Sequence, residues 1–156
     1  MFLERVVFMS IESKLELPGF KHVFPLTVKW GDMDAMGHVN NTRYFYYGES
    51  ARFEFLLKLF PQAAAMDTSD LEYGFALAYA DTKFKMSLTY PDQVLVGTSV
   101  IKIEETEFHL KHSIYSSKMS CEAAVSTARV VSFDFKHSKR RALDEKAVDM
   151  LEQYRG

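Results

Sequence analysis

The spacing of apolar positions changes along this chain, and each change marks an element. From Val23 to Trp30 the residues Phe24, Leu26, Val28 and Trp30 alternate with His22, Thr27 and Lys29. A period of two with β-branched members predicts a strand, and Pro25 fits an edge strand or a strand start. From Asn40 to Phe60 the pattern becomes helical and apolar on nearly every side. At 100° per residue only Arg43, Ser50, Glu54 and Lys58 share a narrow polar stripe. Such a helix is expected to be buried, with the rest of the chain wrapped around it. An asparagine, Asn40 or Asn41, suits its N-cap, and Pro61 stops it. Glu49 and Arg52 fall on the apolar side with Phe45, Phe53, Leu56 and Phe60. They read either as a partly buried structural pair or as Glu49 reaching a reaction site.

After a polar connector over 62–72, four strand-like segments follow. Tyr73–Met86 places Gly74, Ala76, Ala78 and Ala80 on one side and Phe75, Leu77 and Tyr79 on the other. Val94–Glu104 is rich in β-branched residues. Thr106–Ser117 sets Phe108, Leu110, His112 and Ile114 against Glu107, His109, Lys111 and Ser113. Glu122–Phe135 carries Val125, Thr127, Val131 and Phe133 on one face, beyond a hairpin turn at 116–120. A basic run, Lys136–Arg141, precedes helical spacing at Leu143, Ala147, Met150 and Leu151. The order of strand, long helix and four strands gives an α+β fold: a five-stranded antiparallel sheet wrapped around one helix.

Residues 1–20 end at the turn signal Pro18-Gly19 and read as an N-terminal arm on a domain spanning 21–156. Met9 is an alternative start to Met1. With 156 residues, 47% of them hydrophobic, the chain is expected to form one ordered domain. A net charge of −2 gives no reason to expect nucleic acid. The single cysteine, Cys121, excludes an internal disulfide and fits a reducing, cytoplasmic setting. No apolar run is long enough for a membrane span, and residues 1–10 are no secretory signal. His109, His112 and His137 lack metal-ligand spacing, so neither metal nor cofactor is expected.

The chemistry is expected between strand and helix, in the loop Gly31–Val39. Asp34 there precedes a helix start, where unpaired N–H groups and the helix dipole favour anions, including the oxyanion of an attacked carbonyl. A carboxylate so placed can act as base or nucleophile. One acid and one helix terminus are thin for an ester or amide, whose leaving group needs a proton. They suffice for a thioester, because a thiol of pKa near ~8.5 leaves readily as thiolate. Asp32 is expected to order the loop, and His38 either to contact substrate or to hold the loop.

The stretch VKWGDMDAMGHVNNTRYFYYGESAR resembles the signature of the 4-hydroxybenzoyl-CoA thioesterase-like branch of the hotdog-fold acyl-CoA thioesterases. The order of the remaining segments agrees out to about Leu151; residues 1–20 lie outside it. The resemblance implies a hotdog fold, Asp34 as the catalytic acid and the amide of Asn41 polarising the thioester carbonyl. His38, Asn40 and Glu49 are then candidates for substrate binding, and acyl-CoA is the expected substrate. The family's sites lie between subunits, so a homodimer or homotetramer is expected, with Phe75, Leu77 and Tyr79 at its interface. The basic run Lys136–Arg141 is a weaker candidate for coenzyme A phosphates. A non-catalytic acyl-CoA-binding module and a thioesterase for acyl carrier protein are the alternatives.

Overall fold

The computed structural model describes residues 16–64 and 72–156. Strand β1 (His22–Val28) leads through a 3-10 turn (Trp30–Asp32) and the acidic loop into helix α1 (Asn41–Leu59). Strands β2 (Gly74–Phe84), β3 (Asp92–Ile103), β4 (Glu107–Ser116) and β5 (Cys121–Asp134) follow, then a short β6 (Lys139–Arg140) and helix α2 (Glu145–Glu152). The sheet is antiparallel in the order β1-β3-β4-β5-β2, with β6 paired to β5. It is thus six-stranded, the sixth strand coming from the basic run. The β2 strand does not pair with β3, its neighbour in sequence, but crosses to β5, with β4 and β5 lying between β3 and β2 in the sheet. The expected hotdog arrangement, an antiparallel sheet with a helix packed against it, is present. No helix among the described residues is long and apolar enough to cross a membrane.

Helix α1 is capped by Asn40, whose side-chain oxygen accepts from the Thr42 amide at 3.0 Å. It lies on the sheet through Tyr44, Tyr47, Gly48, Ala51 and Phe55, all buried. Full burial of a side chain such as Phe55 contributes about 1.5–3 kcal/mol. The helix is not buried on every side. Phe45, Tyr46 and Phe53 are 42%, 49% and 56% exposed, and Glu49 is exposed. The apolar excess read as burial within one chain is therefore an uncovered outer flank of the protomer. Arg52 is half-buried beside Glu49; burial disfavours its charge, and Glu49 opposes that shift.

Two further expectations change. A β-bulge between Leu77 and Tyr79 shifts the register of β2 on β5. Phe75 and Leu77 thus face α1, opposite Ser132 and Val130, whereas Tyr79 pairs with Arg129 on the other face. These three residues do not share a face, since a bulge inserts one residue and inverts the alternation. The body also extends into the supposed arm. Leu17 is buried, and a Cβ at Gly97 would meet the Phe20 ring at 2.5 Å, so Phe20 lies directly on β3. Residues 1–15 lie outside the described residues, as do 65–71 of the connector.

The core divides into two apolar clusters. One gathers Val94, Val96, Ile114 and Ala124 under Tyr44, Tyr47 and Ala51; the other gathers Val100, Leu110, Ala128 and Val130 with Phe55 and the α2 residues Ala147 and Leu151. Between them runs a polar row across all five long strands. Successive partners in register are His22 with Thr98, Thr98 with His112, His112 with Ser126, and Ser126 with Thr82. Thr98 Oγ1 lies 3.0 Å from His112 Nδ1, and Thr82 Oγ1 lies 2.8 Å from Ser126 Oγ. Gly48 passes over this row, close to Ser126 and His112.

Candidate active site

The acidic loop is a short, braced hairpin. Met33 and Val39 form a bridge, the Asp34 amide donates to the His38 carbonyl at 2.8 Å, and the Gly37 amide donates to the Asp34 carbonyl at 3.0 Å. Gly37 has φ +78°, which glycine adopts without the penalty a Cβ brings. Asp32 anchors the base of this hairpin. Its carboxylate accepts from the Lys29 amide at 2.9 Å and from the Tyr47 hydroxyl at 2.8 Å, and pairs with Arg43 at 3.2 Å. Burial, then the bond to Asp32, pushes the Tyr47 phenol well above its ordinary range. Asp32 is therefore a loop-ordering group, enclosed and fully engaged.

Asp34 faces the other way. Its Oδ1 accepts from the Met36 amide at 2.8 Å, and it lines a cavity of about 290 Å³ with Val39, Asn41, Tyr44, Phe84, Lys85, Met86 and Ser87. Three elements converge there. The Val39 amide donates to the Leu88 carbonyl at 2.8 Å, tying the loop to the β2–β3 connector. The Tyr44 hydroxyl accepts from the Leu88 amide at 2.9 Å and donates to the Met86 carbonyl at 3.3 Å, tying α1 to the same connector. At the helix start, Asn40 caps the Thr42 amide and its carbonyl takes the Arg43 amide. Asn41 is the first residue of the helix and lines the same cavity.

The structure thus brings Asp34 and Asn41 to one cavity. Asn40 is engaged as the cap, and His38 is exposed, with its carbonyl holding the hairpin. Glu49 lines a separate cavity of about 170 Å³ with Arg52, Phe53, Leu56, Phe75, Ala76, Leu77 and Val130. Sequence reasoning missed the wall made by Phe84 to Ser87, because a connector distant in the chain carries no local signal of the helix it will meet. Tyr44 belongs both to the core and to the cavity wall.

The basic run lies elsewhere and is paired. Lys136 meets Glu72 at 3.0 Å, Arg140 meets Glu107 at 2.9 Å, and Arg141 stacks over Tyr73 at 4.5 Å. Glu104, Glu107 and His109 bring ligand-type atoms together, a grouping their spacing does not announce. Their charges are met by Lys102, Arg129 and Arg140, which makes an ion-pair cluster of them.

Comparison with known proteins agrees with this fold. A gentisyl-coenzyme A thioesterase of known structure is 25% identical, with a TM-score of 0.71 over 83% of this chain and 98% of its own. A DHNA-CoA thioesterase from Staphylococcus aureus is 23% identical, with a TM-score of 0.70 over 85% and 87%. Another Staphylococcus aureus protein, solved in complex with CoA, shares 13% identity and a TM-score of 0.74 over 85% and 82%. No curated protein sequence matches the chain. The sequence profile of one family matches residues 28–152, which include the last residue of β1, the loop, α1, strands β2 to β6 and α2, and the chain belongs to the thioesterase-like superfamily.

Proposed function

We propose that the protein hydrolyses acyl-CoA thioesters at the cavity shared by Asp34 and Asn41, as in the 4-hydroxybenzoyl-CoA thioesterase-like branch that its motif resembles. The observation that carries this reading is that shared wall: an acid and the first residue of a helix on one open cavity. The thioester carbonyl oxygen would accept from the Asn41 amide, where the helix terminus stabilises the developing oxyanion. Asp34 would either take a proton from the attacking water or attack the carbonyl carbon itself. In the first case water's oxygen bonds to carbon and the thiolate of CoA leaves. In the second the Asp34 oxygen bonds to that carbon, the thiolate of CoA leaves and a mixed anhydride remains, which water then hydrolyses to free acid and Asp34 carboxylate. Support for CoA as the thiol comes from relatives named for CoA thioesters and from the neighbour solved with CoA. The setting for such a substrate would be the cytoplasm.

The test is thiol release from aliphatic and aromatic acyl-CoAs by wild type, Asp34→Asn and Glu49→Gln, with binding of a thioether analogue measured in parallel. Asp34→Asn should lower turnover about 10²–10⁴-fold with little change in binding, since the charge makes no attractive contact with an uncharged thioester. Glu49→Gln, altered in the other cavity, should have a clearly smaller effect. Binding without turnover in wild type would make the protein a binding module. Turnover confined to acyl carrier protein would change the substrate.

We further propose that two or four copies assemble through the outer flank of α1 and the edge of β2. Phe53 and Leu77 are 56% and 49% exposed on that side, and among the described residues β2 has a strand neighbour on one side only. Open edges and adjoining apolar surface of this kind mark association sites.

A further inference from the structure

Coenzyme A carries a phosphorylated adenosine as well as its thiol, and the basic run Lys136–Arg141 is engaged with Glu72, Glu107 and Tyr73. The other cations that line cavities leave one pair for those phosphates. Lys85, on the Asp34 cavity, is bound to Glu122. Arg52 lies half-buried beside Glu49, and Arg129 meets Glu107 on the opposite face of the sheet. Lys21 donates to the Gln153 carbonyl, and Lys58 lies over the Tyr154 ring. Both line a cavity near the far end of α1, about 25 Å from Asn41 at the rise of an α-helix.

Lys29 and Arg43 remain. They line a cavity of about 570 Å³ with Thr27, Gly31, Asp32 and Tyr46, on the β1 side of the α1 start. That volume is in the range that holds a nucleotide-sized ligand. Arg43 is held through Nε, which donates to Asp32 Oδ1 at 3.2 Å. Asp32 is itself fixed by the Lys29 amide and the Tyr47 hydroxyl. The guanidinium is thus oriented before any ligand arrives. Among the described residues neither of its terminal nitrogens has a hydrogen-bond partner, and no carboxylate meets the Lys29 ammonium. Asp32 offsets one of the two cations, so the cavity keeps a positive balance. A guanidinium fork matches the oxygens of a phosphate, and fixing it beforehand removes part of the ordering cost of binding. Tyr46 is 49% exposed, and an aromatic face of this kind stacks on a purine.

We propose that this cavity binds the phosphorylated adenosine end of coenzyme A, with Arg43 and Lys29 on its phosphates and Tyr46 against its purine. The inference rests on the reading of Asp34 and Asn41 as the reaction centre. The two cavities are separate and flank one helix start, with Asp34 and Asn41 on one, Asp32 and Arg43 on the other. The ligand therefore passes over the surface of the acidic loop, not through the core. The span is the width of a helix with its side chains, about 10–12 Å, which an extended pantetheine arm exceeds.

The probe is adenosine 3′,5′-bisphosphate, which has the purine and phosphates but no thiol. Calorimetry on wild type, Lys29→Gln, Arg43→Gln and Tyr46→Ala reads its Kd, with adenosine as the uncharged control. Wild type should bind the bisphosphate, more weakly as salt rises, and adenosine at least about tenfold less well. Lys29→Gln and Arg43→Gln should each raise Kd about ten- to a hundredfold, the range of a hydrogen bond to a charged group. Tyr46→Ala, which leaves Asp32 and its partners in place, should also weaken binding. Displacement is read with a thioether analogue of acyl-CoA, and kcat/KM for an acyl-CoA is compared with that for the same acyl group on pantetheine. The analogue should displace the bisphosphate, and the advantage of CoA over pantetheine should shrink about tenfold in Lys29→Gln. Displacement without turnover of any thioester would sink the hydrolytic reading and leave the nucleotide site standing. A bisphosphate that binds but is not displaced would mark a site for a free nucleotide and overturn its assignment to CoA. No binding, or a Kd unchanged in all three variants, would overturn the site itself.

Discussion

The hydroxyl of Tyr47 donates to Oδ2 of Asp32 across 2.8 Å, joining the second turn of α1 to the base of the acidic loop. This single bond explains why two aspartates so close in sequence have different surroundings. Asp32 is held inward by α1, and the short hairpin that follows turns Asp34 toward the cavity.

The first prediction concerns that anchor. Tyr47→Phe leaves a buried carboxylate oxygen short of one donor and should cost about 1–3 kcal/mol. Asp32→Asn should cost a similar amount. Its pair with Arg43 adds little, because the Arg43 side chain is 43% exposed and solvent screens it. Melting temperatures should fall by several degrees in both variants, while thiol release falls far less than in Asp34→Asn. An Asp32→Asn enzyme as inactive as Asp34→Asn would give Asp32 a part in the reaction.

Much of this architecture was legible from period alone. The alternation of Phe108, Leu110, His112 and Ile114 gave the inner face of β4, and Asn40 gave the helix start. What failed did so for identifiable reasons. One inserted residue near Leu77 inverted the face of Tyr79, and no alternation count detects a bulge. The crossing of β2 to β5 is a long-range pairing that local periodicity does not encode. The proposed pair Asp34 and Asn41 was named through the resemblance of one short stretch, in which the acid and the helix start are neighbours in sequence. Their partners Phe84 to Ser87 were not, because only folding brings them there. The polar row was hidden for the same reason: His22, Thr82, Thr98, His112 and Ser126 are distant in sequence and align only through register.

The second prediction follows from the two histidines in that row. His112 is fully enclosed, and burial first, then the positive charges of Arg52 and His22, lower its pKa to about 3. His22 lies edge-on to Phe55 at 5.2 Å, and burial, then Lys58, lowers it to about 4. Both are neutral in the fold, but the unfolded chain protonates them near the ordinary 6.5. The unfolded state thus binds more protons, so stability falls as pH drops below about 6.5, by up to ~1.4 kcal/mol per pH unit for each group. Denaturant midpoints between pH 7 and 4.5 should show this slope, above the range where carboxylates titrate. His112→Gln, which keeps a partner for Thr98, should lower the slope by about one proton. A flat midpoint across that window would mean that the histidines are solvated in the native state.

A third prediction distinguishes the two parts of the N-terminal region. Residues 1–8 show no strand or helix period and precede the family match, so their removal should leave melting temperature and turnover within error. Removing residues 1–20 is different, because it takes away the buried Leu17 and the Phe20 ring on Gly97. At about 1.5–3 kcal/mol for a fully buried side chain, and less for the half-buried Phe20, the loss should total a few kcal/mol. Equal stability of the two truncations would show that Leu17 and Phe20 contribute nothing in solution.

The last prediction concerns assembly. Sedimentation at micromolar concentration should show a dimer or tetramer and no monomer. Phe53→Glu places a charge on the exposed α1 flank and Leu77→Glu places one beside the open β2 edge, so either should shift the population toward monomer. Tyr79→Glu is the informative comparison. The bulge turns Tyr79 to the opposite face, 5.9 Å over which Arg129 stacks, so its substitution tests whether that face is also covered. Dissociation by the first two variants alone would indicate a dimer formed through the α1 flank. A further step from four copies to two with Tyr79→Glu would indicate a tetramer that uses both faces. A wild type that sediments as an active monomer would defeat the assembly proposal, and with it any contribution of a second copy to the site.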